Sequence, residues 1–127
     1  MGVAYFIVLD KKKPGFDTSV NGKAVAREVD AISKVTTKLK LPDINVLTSF
    51  AALAAQFGAD PSSEGAKEKW FKAEEGLEWV RAVYEYIDTH PRSAENRARV
   101  LEDLEEYEAV LSKAAKIKAK WHFEMDV

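Results

Sequence analysis

The sequence of 127 residues contains no cysteine, which excludes disulfides, thiolate metal sites and a cysteine nucleophile. It also lacks an apolar run of the roughly 18 to 20 residues that a membrane-spanning helix needs. The longest apolar run, residues 2–9, has the length of a strand, without the basic start and cleavage site of a signal peptide. We therefore expect a cytoplasmic protein with no membrane partner.

An excess of charge of one sign is missing as well. The chain has 19 basic and 21 acidic residues, a formal net charge of −2. Nucleic-acid binders usually present a strongly basic surface, so we expect no nucleic-acid partner. A composition of 46% hydrophobic and 31% charged residues is enough to bury a core, and this length fits a single domain over residues 1–127.

Residue patterns typical of β-strands occur at both ends of the chain. In "GVAYFIVL", residues 2–9, both alternating sets are apolar, which is typical of a strand that is covered on both faces or central in its sheet. "KWHFEMDV", residues 120–127, alternates strictly, which predicts one buried face and one solvated face. The predicted inward residues are Trp121, Phe123 and Met125, and the predicted outward residues are Lys120, His122, Glu124 and Asp126.

Helical periodicity predicts helices from about Gly22 to Lys40, after Thr48, over 73–89 and over 93–119. Ser93 is the expected cap of the last helix, and "GADPSSEGA" over 58–66 is a predicted loop. The outer face of the last helix is predicted to be acidic, with Glu102, Asp103, Glu105, Glu106 and Glu108.

"KEKWFK", residues 67–72, is ambiguous between a short strand and the start of the next helix. We favour the strand because a helix that begins near Ala73 places Gly76 in its first turn, where glycine is least costly. The order is then β-α-α-β-α-α-β. Because a helix pair carries the chain across and back, the expected fold is α+β: a three-stranded antiparallel sheet with two helical hairpins mainly on one face.

Three stretches, "GFDTSVNGKAVA", "KWFKAEEGL" and "DLEEYEAVLSKAAKIKAKWHFEMD", together resemble a family of small uncharacterised bacterial proteins. Members begin with a hydrophobic strand and an Asn/Asp-Gly-Lys-Ala helix start, and they end on a helix that feeds a short strand. The resemblance implies one bacterial domain of unknown function, and it implies no activity, cofactor or site residue.

The first candidate site lies on the closing strand. His122 and Glu124 share one face, but residues two apart on a strand are about 6.6–7 Å apart, which is long for two ligands of one ion. A solvated strand face is therefore the favoured interpretation, with metal or acid–base chemistry as the alternative. We predict no metal.

The remaining candidates surround helix starts. Asp17 and Lys23 flank a start that could hold an anion, although capping also explains them. Trp70 and Glu75 lie near the start of the third helix, where core packing is the simpler interpretation. The sequence has no phosphate-binding glycine loop and no Ser/His/Asp signature, so no catalytic residue and no cofactor are predicted.

These observations favour a non-enzymatic protein-interaction protein, with the sheet face near the first and last strands or the acidic helix as its binding surface. A homodimer is one form of this prediction, because a strand that is apolar on both sides needs a cover. The alternative is a small-molecule or anion binder, or a modest hydrolase, with a cleft near residues 67–76 and the closing strand. Its ligand-binding residues would be Asp17, Lys23, Trp70, Glu75, His122 and Glu124.

Overall fold

The computed structural model describes residues 3–56, 58 and 68–126, and these adopt the predicted α+β fold. The strands are Ala4–Leu9 (β1), Phe71–Lys72 (β2) and Lys120–Asp126 (β3). The helices are Lys23–Arg27 (α1), Val29–Leu39 (α2), Ala51–Gln56 (α3), Ala73–Thr89 (α4) and Arg97–Lys116 (α5), with a 3₁₀ turn at Ile44–Leu47. The predicted loop at 58–66, except for Gly58, and Lys67 lie outside the described residues.

The sheet is antiparallel, in the order β1-β3-β2. The strand interpretation of residues 67–72 is confirmed for Phe71 and Lys72, and α4 begins at Ala73 as predicted. The closing strand β3 is central, so β1 is an edge strand rather than the central one. Because β2 is only two residues long, the backbone N–H of Ser49 fills the adjoining edge of β3 and donates to the carbonyl of Phe123 at 2.8 Å.

The predicted helix from Gly22 to Lys40 is in fact two helices, divided at Glu28. Glu28 has φ −105° and ψ 25°, outside the helical region. Its carboxylate accepts hydrogen bonds from the backbone N–H groups of Glu95 and Asn96, at the start of α5. A helix offers no internal acceptor to its first N–H groups, so the break after α1 supplies the cap of α5.

The long helix α5 begins at Arg97, so the prediction that Ser93 caps it is wrong. The Ser93 hydroxyl donates instead to the carbonyl oxygen of His90 at 2.6 Å. Ser93 therefore closes the turn that follows α4.

The core lies between the helices and one face of the sheet, with Phe123 at its centre. Phe123 is completely buried, and its ring makes edge-on contacts with the rings of Trp121 and Tyr107, at centroid distances of 4.8 and 5.0 Å. Edge-to-face packing is a favoured arrangement of aromatic rings. Gly76 permits α4 to lie against this cluster, because a Cβ at that position would come within 2.5–2.6 Å of the Trp121 indole.

The chain closes part of the free edge of β1 at Gly22. The Tyr5 N–H donates to the carbonyl of Gly22 at 3.2 Å, and the Tyr107 hydroxyl donates to the carbonyl of Tyr5 at 2.7 Å. Gly22 has φ 67°, and a Cβ there would lie 1.9 Å from the carbonyl oxygen of Tyr5. Only glycine fits this approach without displacing the strand.

Candidate functional site

Three of the six predicted site residues lie together on the sheet face that points away from the helices. His122 and Glu124 belong to β3, and Trp70 immediately precedes β2, which pairs with β3. The Nε2 atom of His122 lies 2.9 Å from Oε2 of Glu124. The Trp70 and His122 rings face each other with centroids 4.1 Å apart. We call these three residues the His122 cluster.

The prediction that His122 lies on a solvated strand face is wrong. Its exposed fraction is 0%, whereas Lys120 and Asp126 of the same row are exposed as expected. The reason is that the segment before β2 passes over this part of the sheet and places Trp70 on the imidazole.

Both ring nitrogens of His122 are occupied by contacts within the chain. Nδ1 lies 2.6 Å from the backbone carbonyl oxygen of Lys69, while Nε2 faces the Glu124 carboxylate. A carbonyl oxygen only accepts, so Nδ1 donates to Lys69, and Nε2 lies against the Glu124 carboxylate. No ring nitrogen is left over for a ligand. The His122 cluster therefore has a structural role in the fold.

The other three candidates do not join the His122 cluster through any hydrogen bond or ion pair between described residues. Asp17 is exposed and accepts a hydrogen bond from the Ser19 N–H at 2.9 Å, which lowers the pKa of Asp17. Glu75 is exposed in the first turn of α4, and Lys23 is exposed at the first position of α1. Across the described ranges, no group of three or more His, Asp or Glu side chains is arranged to hold a metal ion.

The anion position predicted at the start of α1 is filled by the chain itself. Oδ2 of Asp103 accepts hydrogen bonds from the backbone N–H groups of Ala24 and Val25, at 2.9 and 3.1 Å. Asp103 is only 4% exposed, so its predicted place on the outer face of α5 is wrong. Burial raises the pKa of the Asp103 carboxyl, and the two backbone hydrogen bonds oppose that rise only in part.

Other acidic side chains of α5 also make contacts within the chain. The pairs are Glu105 with the Tyr84 hydroxyl (2.9 Å), Glu106 with the Asn21 N–H (2.7 Å) and Glu108 with the Arg81 guanidinium (3.4 Å). A carboxylate that serves a neighbouring element is less available to a second protein. Of the two binding surfaces predicted from the sequence, the acidic helix is therefore the weaker candidate.

A groove with a volume of about 1090 Å³ runs along β1. Ala4, Phe6 and Val8 point to its floor from the sheet face opposite the helices, and Phe6 and Val8 are half-buried. Pro14 and Val20 contribute from the loop between β1 and α1. We call this feature the β1 groove.

The charged residues that line the β1 groove are Lys11, Lys12, Lys23 and Asp126. The groove is thus basic in a chain whose formal net charge is −2. Sequence reasoning identified Lys23 but not the groove, because the loop from Lys11 to Asn21 carries no periodicity that shows where it folds. The signal that was present is the doubly apolar pattern of β1, which predicted that one side of this strand would need a cover.

A second, smaller groove of about 400 Å³ lies where α1 meets α5. Its lining includes Lys23, Arg27 and Arg99, together with Glu102 and the buried Asp103. Basic and acidic groups are mixed here, and the helix N–H groups nearby already bind Asp103. This groove therefore offers a weaker site than the β1 groove.

The chain matches no known family model, and no curated protein or solved structure is significantly similar to it. The resemblance to small uncharacterised bacterial proteins stays a prediction. No helix within the described ranges is both long and apolar enough to cross a bilayer.

Proposed function

We propose that this chain is a non-enzymatic protein-interaction module whose binding surface is the β1 groove. The observation that carries the proposal is the apolar floor of this groove, where Phe6 and Val8 stay half-buried on an edge strand. Apolar side chains that line an open groove gain free energy when a partner covers them, because apolar surface is removed from water.

The shape of the β1 groove favours a chain segment over a small molecule. Its lining includes residues from Ala4 to Leu9, the full length of β1, and six strand residues span roughly 20 Å. Small-molecule sites usually enclose most of their ligand, whereas an open groove of this length matches an extended piece of protein.

The alternative, a small-molecule or anion binder or a modest hydrolase, has less support. Of its six residues, only Lys23 lines the β1 groove or the groove where α1 meets α5. The imidazole of His122, its strongest chemical group, is buried and bonded at both nitrogens. The homodimer, the cytoplasmic location and the bacterial origin stay predictions from the sequence.

A peptide display library panned against the full chain tests the proposed function without assuming any partner. Phe6→Asp places a charge on the floor of the groove. Val46→Asp is the matched control, since Val46 is 51% exposed in the 3₁₀ turn and is not in the lining. We expect enriched peptides that bind the wild type and Val46→Asp but not Phe6→Asp, with circular dichroism to establish that each variant folds.

Val8→Thr serves as a milder second variant in case Phe6→Asp does not fold, because it adds a hydroxyl with little change of shape. Peptides that bind both floor variants as well as the wild type, or the absence of any enriched peptide, would contradict the proposed function.

A further inference from the structure

Resting on the proposed function, we infer that the partner segment is an acidic stretch of another protein with an apolar side chain at its centre. The lining of the β1 groove divides into an apolar floor and a basic rim, and such a segment matches both. The floor is formed by Phe6 and Val8, and the rim by Lys12 and Lys23 with Lys11 beside them.

The basic character of the rim is not cancelled by the strand next to β1. In the β1–β3 register, Phe6 lies opposite Glu124 and Val8 lies opposite His122. His122 and Glu124 contact each other at 2.9 Å, and neither of them lines the groove. Among the described residues of the lining, Asp126, opposite Ala4, is the acid against three lysines. A segment with carboxylates on both sides of its apolar residue complements this field.

Two of the lysines are placed to meet such carboxylates. The Lys11 ammonium donates to the backbone carbonyl of Ile117 at 2.8 Å and is held at the end of α5. The side chains of Lys12 and Lys23 make no hydrogen bond with any other described residue, and both residues are exposed. Charge complementarity at the rim therefore depends mainly on Lys12 and Lys23.

A second copy of this chain is a poorer occupant of the β1 groove. A two-fold contact brings the same patch of each copy together, so one net-positive groove would face another. The acidic helix of a second copy is also a poor match, because Glu105, Glu106 and Glu108 already have partners within their own chain.

The test uses the full chain and the probe peptide acetyl-DEVFDE-amide, with acetyl-KKVFKK-amide and acetyl-DESSDE-amide as controls. Backbone amide shifts and fluorescence anisotropy report where and how tightly each peptide binds. Lys12→Glu/Lys23→Glu reverses the rim. Lys34→Glu/Lys38→Glu, on the exposed side of α2 and outside the groove, makes the same change of net charge elsewhere.

We expect the acidic peptide to shift the amides of Phe6, Val8 and Val20. Reversal of the rim should weaken binding of the acidic peptide by roughly fivefold or more. The control variant should weaken binding of the same peptide by less than about twofold. Equal weakening by both variants, or equal binding of the basic peptide, would overturn the inference. Equal binding of the peptide without an apolar centre would overturn it as well.

The display experiment separates this inference from the function on which it rests. Groove-dependent peptides without acidic residues would leave the proposed function standing and overturn the acidic partner. A lack of groove-dependent peptides, together with no amide shifts from the acidic probe, would overturn both. A dimer that buries Phe6 and Val8 would overturn the inference in favour of a second copy.

Discussion

The carboxylate of Asp103 accepts a hydrogen bond from the backbone N–H of Ala24 at 2.9 Å, across 79 positions of sequence. The N-terminal end of α1 is thus capped from α5 rather than by a neighbour in the chain. This arrangement stabilises the turn that leads from β1 into the helices, and that turn forms one wall of the β1 groove.

Removal of the Asp103 carboxylate should lower the free energy of unfolding, and the size of the loss should depend on the residue that replaces it. Asp103→Ala leaves the N–H groups of Ala24 and Val25 without an acceptor, and we expect a loss of about 1–3 kcal/mol in the free energy of unfolding. Asp103→Asn retains one acceptor oxygen without the buried charge, so its loss should be smaller. Urea denaturation of both variants at pH 7 measures the difference, and equal losses would contradict the capping role.

The same carboxyl predicts a pH dependence. Burial raises the pKa of Asp103 in the folded state above its ordinary value of 3.8, so the folded chain binds this proton more tightly than the unfolded chain. The contribution of Asp103 to stability therefore increases as the pH falls from the raised pKa towards 3.8. Relative to Asp103→Asn, the wild type should gain stability across that interval, as measured by urea denaturation at successive pH values. A relative loss would contradict the assigned direction.

Gly22 should tolerate no side chain. Gly22→Ala places a Cβ 1.9 Å from the Tyr5 carbonyl oxygen at a positive φ, so we expect loss of several kcal/mol or failure to fold. Gly15→Ala is the matched control, because Gly15 also has a positive φ (88°) but has nothing within 4 Å of its Cβ position. The loss of stability in Gly15→Ala should be close to the cost of placing alanine at a positive φ, about 1 kcal/mol. Thermal melts of both variants give the comparison.

Gly76→Ala should lower stability although alanine is the better helix former. In an exposed helix this change gains about 1 kcal/mol. Here the new Cβ meets the Trp121 indole at 2.5–2.6 Å inside the core. We expect the clash to outweigh the helix propensity, since overpacking typically costs about 1–3 kcal/mol. Trp121→Phe in the Gly76→Ala background should recover part of the difference, which chemical denaturation measures as a coupling between the two sites.

Glu124 should stabilise the buried His122 ring. Glu124→Ala removes the acceptor 2.9 Å from Nε2, and we expect a loss of about 1–3 kcal/mol at neutral pH. Glu124→Gln retains an acceptor oxygen and should lose less. Equilibrium unfolding gives the stabilities, and the indole N–H resonance of Trp70, assigned apart from those of Trp79 and Trp121, reports whether the indole still covers the ring. Unchanged stability in Glu124→Ala would contradict the pairing.

The solution mass should be that of one chain, 14.2 kDa, across a range of concentrations. The reason is that a two-fold contact through the β1 groove would bring like charges together. Light scattering measures the mass directly. A stable dimer would restore the homodimer predicted from the apolar pattern of β1.

Much of the fold could be predicted from the sequence because its main signals are periodic. The alternation of Trp121 and Phe123 with polar residues fixed the inner face of β3, and the position of Gly76 fixed the start of α4 at Ala73. A periodic pattern reports which face of an element is buried. It does not report which distant segment buries it.

The wrong predictions share one cause: a distant segment of the chain buries or contacts the residue in question. His122 is polar and alternates correctly, but Trp70 covers it from the segment before β2, 52 positions away in the sequence. Asp103 lies among acidic neighbours on the predicted outer face of α5. Its carboxylate nevertheless accepts from the N–H groups of Ala24 and Val25, which no local pattern reveals. The loop wall of the β1 groove was missed for the same reason, because the path of that loop depends on tertiary contacts.

The reciprocal caps between α1 and α5 have a consequence for the order of folding. Glu28 accepts hydrogen bonds at the start of α5, and Asp103 accepts them at the start of α1, so both helix starts are capped only after residues 22–28 and 95–103 have met. An intermediate with one helix complete and the other absent would lack both caps. We expect the N-terminal and C-terminal halves to acquire these helix starts in a single kinetic step, with neither half holding them when expressed alone.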